Sequence, residues 1–306
     1  MRRNLLLALL AAACVAGILI YGLAVGYPGV LHPSGLIALA ERRVIIVTFL
    51  LSGIVIIPVF FFLFYFALKY RAGTPAAEAV HEPNWDHDNW RAEALWWFVP
   101  AVIILLLSVI AWQSSHALDP YQRIQSDVPP VTVEVVALDW KWLFIYPQLG
   151  VASLNQLELP SGTPIHFILT ADAPMNSFWV PRLSGQIMVM PGMSTELNIL
   201  ASSTGRFDGQ SANISGDGFS GMTFTTTVVT PKEFDAWVAN VRKGNDPLTQ
   251  DGYAQLRKPS QYVTPATYSS VADNLYDSIV MQYMAPMATS SMPSDMQGMP
   301  MDSMSM

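Results

Sequence analysis

Hydrophobic positions fall into two regimes along this chain. The first third carries three long uncharged apolar runs, at residues 5–25, 44–68 and 94–112, of 21, 25 and 19 residues. Beyond them the apolar positions come in short β-rich runs separated by Pro, Gly, Asn and Asp. A run of 18 or more uncharged residues is long enough to cross a bilayer as a helix. The runs 44–68 and 94–112 are therefore read as transmembrane helices. Pro58 inside the first is tolerated in a membrane helix. Trp96, Trp97 and Trp112, near the ends of the second, suit the two membrane–water interfaces.

The first run follows Arg2 and Arg3, the order of a secretory signal. Residues 1–26 read as a signal peptide or as a retained N-terminal hydrophobic segment, and both alternatives stay open. Cys14 follows three alanines, a loose likeness to a lipoprotein cleavage box; a small apolar residue within the signal is the plainer reading. Export of the segment 27–43 makes helix 44–68 run inward. The loop 69–93 is then cytoplasmic, and everything after Trp112 lies outside. Lys69, Arg71 and Arg91 agree with the positive-inside rule, whereas Arg42 and Arg43 oppose it.

Residues 113–130 read as a linker ending at Pro129-Pro130. Strands are expected at 131–138, 164–171, 196–201 and 223–229, a spacing that fits a β-sandwich or small barrel. Pro231 opens a helical pattern with Phe234, Trp237, Val238 and Val241 on one face. The outer domain is placed at 131–240, with a helical extension over 241–280. Residues 281–306 hold nine of the fifteen methionines among Pro, Ser, Gly and Asp, and read as a disordered tail. Thioethers suit Cu(I), so a copper-gathering tail is one alternative and a low-complexity tail with no metal role the other.

Composition sharpens this picture. Only 13% of the residues are charged against 52% hydrophobic, where a soluble domain carries about 25% charged residues. Residues 113–306 hold nine Lys/Arg and seventeen Asp/Glu. An acidic outer part argues against nucleic-acid binding. A single cysteine excludes an internal disulfide and a thiolate cluster. His166 alternates with Ile165 and Phe167 on an expected strand and reads as structural. Ser211 and Ser215 have no base nearby in sequence, and no phosphate loop follows a strand. From residues alone the domain is a binding or structural module.

Several local runs resemble a known family. Asp139-Trp140-Lys141-Trp142, followed by Phe144 and Tyr146, is similar to the aromatic strand of subunit II in haem–copper respiratory oxidases. Asn176-Ser177-Phe178-Trp179-Val180-Pro181 resembles a stretch that starts with a histidine ligand in the cytochrome c oxidases. Gly205-Arg206-Phe207-Asp208-Gly209-Gln210 resembles the turn before their copper loop. The resemblance implies two transmembrane helices and an extracytoplasmic cupredoxin-like β-sandwich. The copper loop of that family reads Cys-x3-Cys-x3-His-x2-Met, with a Glu between the cysteines. Here the spacing stays and the ligands change. Ser211 and Ser215 stand at the cysteines, Asn213 at the Glu, Phe219 at the histidine and Asn176 at the upstream histidine. Only Met222 survives. Serine hydroxyls stay protonated near neutral pH and are poor ligands for a soft copper site, so the dinuclear copper centre is expected to be absent.

Ser215-Gly216-Asp217-Gly218-Phe219-Ser220-Gly221-Met222 and Met175-Asn176-Ser177-Phe178 look like the cytochrome o branch, which oxidises quinol. That likeness implies a non-redox subunit of a proton-pumping ubiquinol oxidase in a bacterial inner membrane, with its C-terminal domain in the periplasm. It implies no cofactor on this chain, haems and a copper on subunit I, contact with other oxidase subunits and the bilayer, and no use of cytochrome c. A Glu before a Trp-x-x-Pro run lies in that family at the mouth of a proton channel. Glu93, ahead of Trp97 and Pro100, matches it; a plain surface acid favoured by the helix dipole is the alternative. The branch has a lipidated cysteine shortly before its Leu-x-Pro-x-Gly run, a position that falls near Gly26 here. Cys14 lies too early for it. Two other functions compete: a cytochrome c oxidase subunit with an aberrant copper site, and a Met-rich copper-handling membrane protein.

Overall fold

The computed structural model of the chain describes residues 29–78 and 90–284, with the isolated positions Gly17 and Tyr21. Cys14, nearly all of the segment 1–26 and the tail beyond Met284 lie outside the described residues.

Two helices, α1 (Leu36–Lys69) and α2 (Trp90–Ala117), are long and apolar enough to cross a membrane. Their apolar surface is bare: Phe49 and Trp97 are 75% and 80% exposed. Both helices outrun the apolar runs that mark them. α1 starts at Leu36, ahead of Val44, because its start is anchored to the outer domain. The Ser34 and Gly35 amides donate to the Arg182 carbonyl, at 2.7 and 3.1 Å. The Arg182 guanidinium donates to the His32 carbonyl and to Ser34 Oγ, at 2.9 and 3.0 Å. A Cβ on Gly35 would fall 2.3 Å from the Leu183 carbonyl oxygen, so only glycine permits this approach. With that N-cap held extended, the good helix formers of residues 36–43 continue the helix outward. α2 likewise runs past Trp112 to Ala117, into the expected linker, and stops short of Pro120.

The domain begins at β1 (Val131–Leu138) and β2 (Lys141–Tyr146), followed by β3 (Val151–Leu154), β4 (Gln156–Pro160), β5 (Pro164–Ala171) and β6 (Asn176–Trp179). Then come β7 (Ile187–Val189), β8 (Thr195–Leu200), β9 (Gly205–Ser211) and β10 (Thr223–Val229). Helix α3 (Pro231–Arg242) is closed at its start by a capping box between Thr230 and Glu233. Residues beyond it form β11 (Pro247–Leu248), α4 (Gln250–Leu256), β12 (Ala266–Tyr268), β13 (Ser270–Val271) and α5 (Leu275–Tyr283). A six-stranded sheet, β12-β3-β2-β1-β5-β8, faces a five-stranded one, β4-β10-β9-β6-β7. β1 pairs with β5, and β4 with β10, in parallel; the other strand pairs within these two sheets are antiparallel.

The core between the sheets is aromatic. The rings of Phe178 and Phe224 stack 5.3 Å apart, and Trp142 meets both edge-on. A second core lies on the opposite face of the six-stranded sheet, where Val136, Leu138, Leu143 and Ile145 pack under Leu248, Tyr253, Leu275 and Ile279. β1 and β2 are thus apolar on both faces, which is why 131–138 reads as a nearly continuous run and not an alternating one. This second core corrects the expected helical extension. Residues 241–280 mix two short helices with three short strands, and β12 completes the sheet beside β3. Pro247, Pro259 and Pro265 break this stretch too often for one helix.

At the rim of the second core, Glu134 on β1 faces Asp277 and Tyr276 on α5. Burial, reinforced by the negative charge of Asp277, pushes the Glu134 carboxyl up to about 7. The folded state therefore binds this proton more tightly than the unfolded chain does. Its contribution is fully present below about pH 4.5 and is lost as pH rises through 7. Allowing for partial exposure, we expect a loss of about 1 kcal/mol over that window. Glu134→Gln should flatten the pH dependence and melt higher than wild type at pH 8. Thermal melts of both proteins at pH 5 and 8 provide the check, and parallel shifts in the two would contradict it.

Candidate functional site

β6 and β9 lie side by side in the five-stranded sheet and bring together two stretches far apart in sequence. Phe178 pairs with Ser211, which sets Asn176, at the start of β6, beside the loop that leaves β9. The Ser211 hydroxyl occupies the centre. It lies 3.0 Å from Asn176 Oδ1 and 3.2 Å from the Asn213 carbonyl, to one of which it donates. It accepts from the Ser177 and Asn213 amides, both at 3.4 Å. The Asn213 side chain donates to the Met175 carbonyl at 2.8 Å, and Asn176 Nδ2 donates to the Pro174 carbonyl at 2.7 Å. Ser215 Oγ lies 4.0 Å from Met222 Sδ, and the Ser211 amide donates to the Met222 carbonyl. Asn176, Ser211, Asn213, Ser215 and Met222 thus form one cluster. Phe219 joins through its backbone: it opens the 3-10 turn Phe219–Gly221, and its carbonyl accepts the Met222 amide.

This donor set does not fit a dinuclear copper centre. The hydroxyls and amides satisfy one another, and the Met222 thioether is the sole soft donor among the six positions. Neutral oxygens compete poorly for soft copper. Among the described residues no three His, Cys, Asp or Glu side chains gather into a metal-binding group elsewhere.

Two aromatic side chains hold the loop in place. Trp140 adopts the left-handed backbone conformation at φ 61 between β1 and β2. Its indole Nε1 donates to the Ser215 carbonyl at 3.2 Å. A Cβ at Gly218 would fall 2.3 Å from that ring, so the glycine is what lets the loop close on it. Tyr262, also at positive φ, lies over Gly221 from the other side, with its hydroxyl 3.4 Å from Ser220 Oγ. Sequence reasoning singled out Trp140 only as part of an aromatic run and missed Tyr262. The signal was faint, since no pattern ties residue 262 to residue 220.

A second polar cluster, also missed in the sequence, fastens residues 250–284 to the sandwich. The Asp172 side chain is fully buried. It accepts from Tyr253 Oη at 2.5 Å, Tyr283 Oη at 2.6 Å and the Arg257 guanidinium at 3.0 Å. Burial and the neighbouring carboxylate hold both tyrosine hydroxyls well above their ordinary range, so they remain donors. Lys141, 1% exposed, donates to the Lys258 carbonyl at 2.8 Å and to Ser260 Oγ at 2.5 Å. Burial pulls its ammonium below the usual lysine range. Asn155 Nδ2 donates to the Val263 carbonyl at 3.0 Å.

Of the other sequence candidates, Glu93 is exposed in the first turn of α2, at the end of that helix far from the domain. His166 is structural in its contacts: Nδ1 lies 3.0 Å from Asn198 Oδ1 and Nε2 3.7 Å from the Glu196 carboxylate.

The family model described as cytochrome c oxidase subunit II, periplasmic domain, matches residues 146–229, and that described as COX aromatic rich motif matches residues 242–287. The chain is 46% identical over 252 residues to the cytochrome bo(3) ubiquinol oxidase subunit 2 of Pseudomonas aeruginosa, covering 82% of this chain and 75% of the relative. It is 43% identical over 257 residues to the ubiquinol oxidase subunit 2 of Acetobacter aceti, covering 83% and 82% of the two chains. Among solved structures, the periplasmic domain of subunit II of cytochrome oxidase of Bradyrhizobium japonicum aligns with 40% of this chain and 98% of its own. The identity there is 25% and the TM-score 0.37.

Proposed function

Because the chain belongs to the subunit II family of bo(3)-type ubiquinol oxidases, we propose that it is the non-redox subunit of a proton-translocating complex that oxidises ubiquinol and reduces dioxygen to water. It is a membrane protein with an extracytoplasmic domain, a subunit of an oxidoreductase complex, and it partners other subunits of that complex. The bacterial inner membrane is the proposed site, with the domain in the periplasm. Subunit I is the proposed direct partner and carries the haems and the oxygen-reducing copper.

One observation carries the reading. The loop that would hold the electron-accepting coppers is instead closed by hydrogen bonds from Ser211 to Asn176 or Asn213. An outer domain whose loop offers neither thiolates nor imidazoles for copper lacks the electron-accepting centre that a soluble cytochrome would need. Quinol dissolved in the bilayer delivers them directly to the membrane-embedded subunit, and the domain serves to brace that subunit. The Arg182, Ser34 and Gly35 contacts mount the domain on α1, and the Asp172 and Lys141 contacts close its outer face.

Glu93 is the one side chain of this subunit to which we assign a part in turnover. With the domain outside, the start of α2 lies on the cytoplasmic side, where protons for water formation are drawn. A carboxylate there can collect protons from water and hand them inward.

The alternatives lose ground on chemistry. A cytochrome c oxidase subunit needs thiolates at 211 and 215. A copper-handling membrane protein does not account for the relatives named as ubiquinol oxidase subunits. An oxygen-electrode assay on the detergent-purified complex tests the proposal. Oxygen uptake is expected with ubiquinol and not with reduced cytochrome c. Uptake driven by cytochrome c would reveal another point of electron input and overturn the reading of the serine loop.

A further inference from the structure

The junction between the membrane helices and the domain contains a cleft of about 460 Å³, lined by Glu41, Val44, Ile45, Leu118, Trp179 and Gln186 among others. Its walls are mostly apolar, and among the described residues Glu41 is the only ionisable group that lines it. Glu41 precedes Arg42, Arg43 and the uncharged run 44–68, so its carboxylate stands at the depth of lipid headgroups on the outer side. Trp179 on β6 stands at the same level, the position favoured by tryptophan at a membrane boundary.

A Cβ on residue 185 would fall 2.4 Å from Glu41 Oε1, so Gly185 leaves the room the carboxylate occupies against the backbone. Glu41 accepts a hydrogen bond from the Gly185 backbone, and among the described residues it forms no ion pair. Arg42 and Arg43 are exposed and also lack an ion-pair partner among the described residues. Arg42 lies about 100° round the helix from Glu41, beside the cleft and not in it. With one backbone donor and no ion pair, the half-buried Glu41 carboxylate keeps acceptor sites for a cation, and the adjacent guanidinium can take an anion. One molecule supplies both at this depth, together with chains that run down the apolar face of α1.

We propose that this cleft binds a zwitterionic aminophospholipid, its primary ammonium on Glu41, its phosphate toward Arg42 and its acyl chains against Val44 and Ile45. An anionic headgroup without an amine would meet the Glu41 charge unfavourably, which sets the selectivity. The inference needs the membrane anchoring of the chain and is independent of which donor the oxidase uses.

The test is native mass spectrometry of the intact complex, delipidated and then exchanged against vesicles of equal parts phosphatidylethanolamine and phosphatidylglycerol. Wild type should retain phosphatidylethanolamine over phosphatidylglycerol by about tenfold, the size of one charge-assisted hydrogen bond. Glu41→Gln should abolish the preference with the complex still assembled. Ile45→Trp, which fills the cleft while leaving the carboxylate, should lower retention of lipid altogether. Equal retention of the two lipids by wild type, a preference that survives Glu41→Gln, or retention unchanged in Ile45→Trp would each overturn the proposal.

Discussion

Asp172→Ala should detach the carboxy-terminal segment from the sandwich and destabilise the domain by about 3 kcal/mol. The wild-type carboxylate is fully buried and accepts three hydrogen bonds, from Tyr253, Tyr283 and Arg257. Alanine removes all three acceptor contacts. The Tyr253 hydroxyl sits in the buried part of the contact and loses its partner without gaining water, which is the expensive case. Arg257 is 40% exposed on its side chain and can rehydrate, so the cost stays near the lower end for a broken buried pair. Asp172→Asn retains one acceptor oxygen and should cost roughly half as much. Two readouts separate the clasp from general damage. The melting temperature should fall, and trypsin should cut after Arg257 far faster than in wild type. A lowered melting temperature with unchanged cleavage at that site would mean that Asp172 supports the sandwich alone.

The reason this clasp was invisible in the sequence is physical. Asp172 is separated by 81 residues from Tyr253 and by 111 from Tyr283, and no sequence pattern ties one of them to another. Hydrophobic patterning predicts which faces are buried, not which polar groups meet beneath a covering segment. It served well where one pattern governs a whole element. The strands at 131–138, 164–171 and 223–229 and the helix opened by Pro231 appear where the runs place them. It failed where covering is local. Residues 247–271 are short pieces that gain structure only by lying on Leu143, Ala152 and Leu154, so their strands carry no alternation of their own. The helices extend beyond the apolar runs they contain. Apolar runs mark what lipid demands, whereas the helix from Leu36 starts where Gly35 is held in extended conformation against the domain, a contact that polarity does not register.

The serine loop stands between these cases. Its spacing was legible because the positions at 211, 213, 215, 219 and 222 sit on one short loop, and the resemblance supplied the partner at 176. The structure adds what fastens the loop: Ser211 ties it to β6, and Trp140 and Tyr262 also hold it. Covalent bridges to copper are replaced by neutral hydrogen bonds worth about 1 kcal/mol each, and closely packed glycines at 216, 218 and 221 make up the fit. These contacts hold the loop in one shape, as the proposed bracing role requires.

Glu93→Ala should slow oxygen reduction by roughly tenfold while the complex assembles normally. The residue is exposed in the first turn of α2, so its removal opens no cavity and breaks no buried contact. The structural cost should be confined to the lost dipole interaction, about 0.5 kcal/mol. A proton-collecting carboxylate behaves differently from a stabilising one. It is needed in proportion to how scarce protons are, so the deficit should widen as pH rises and shrink as the bulk supplies protons directly. Glu93→Asp, which keeps the acid one carbon shorter, should restore most of the rate, whereas Glu93→Gln should behave like alanine despite preserving shape and polarity. Turnover with ubiquinol measured from pH 6 to 9 across the three variants decides the matter. A uniform loss at every pH, or a glutamine variant as fast as wild type, would return Glu93 to the role of an ordinary helix-terminal acid, with the proton path lying wholly in subunit I.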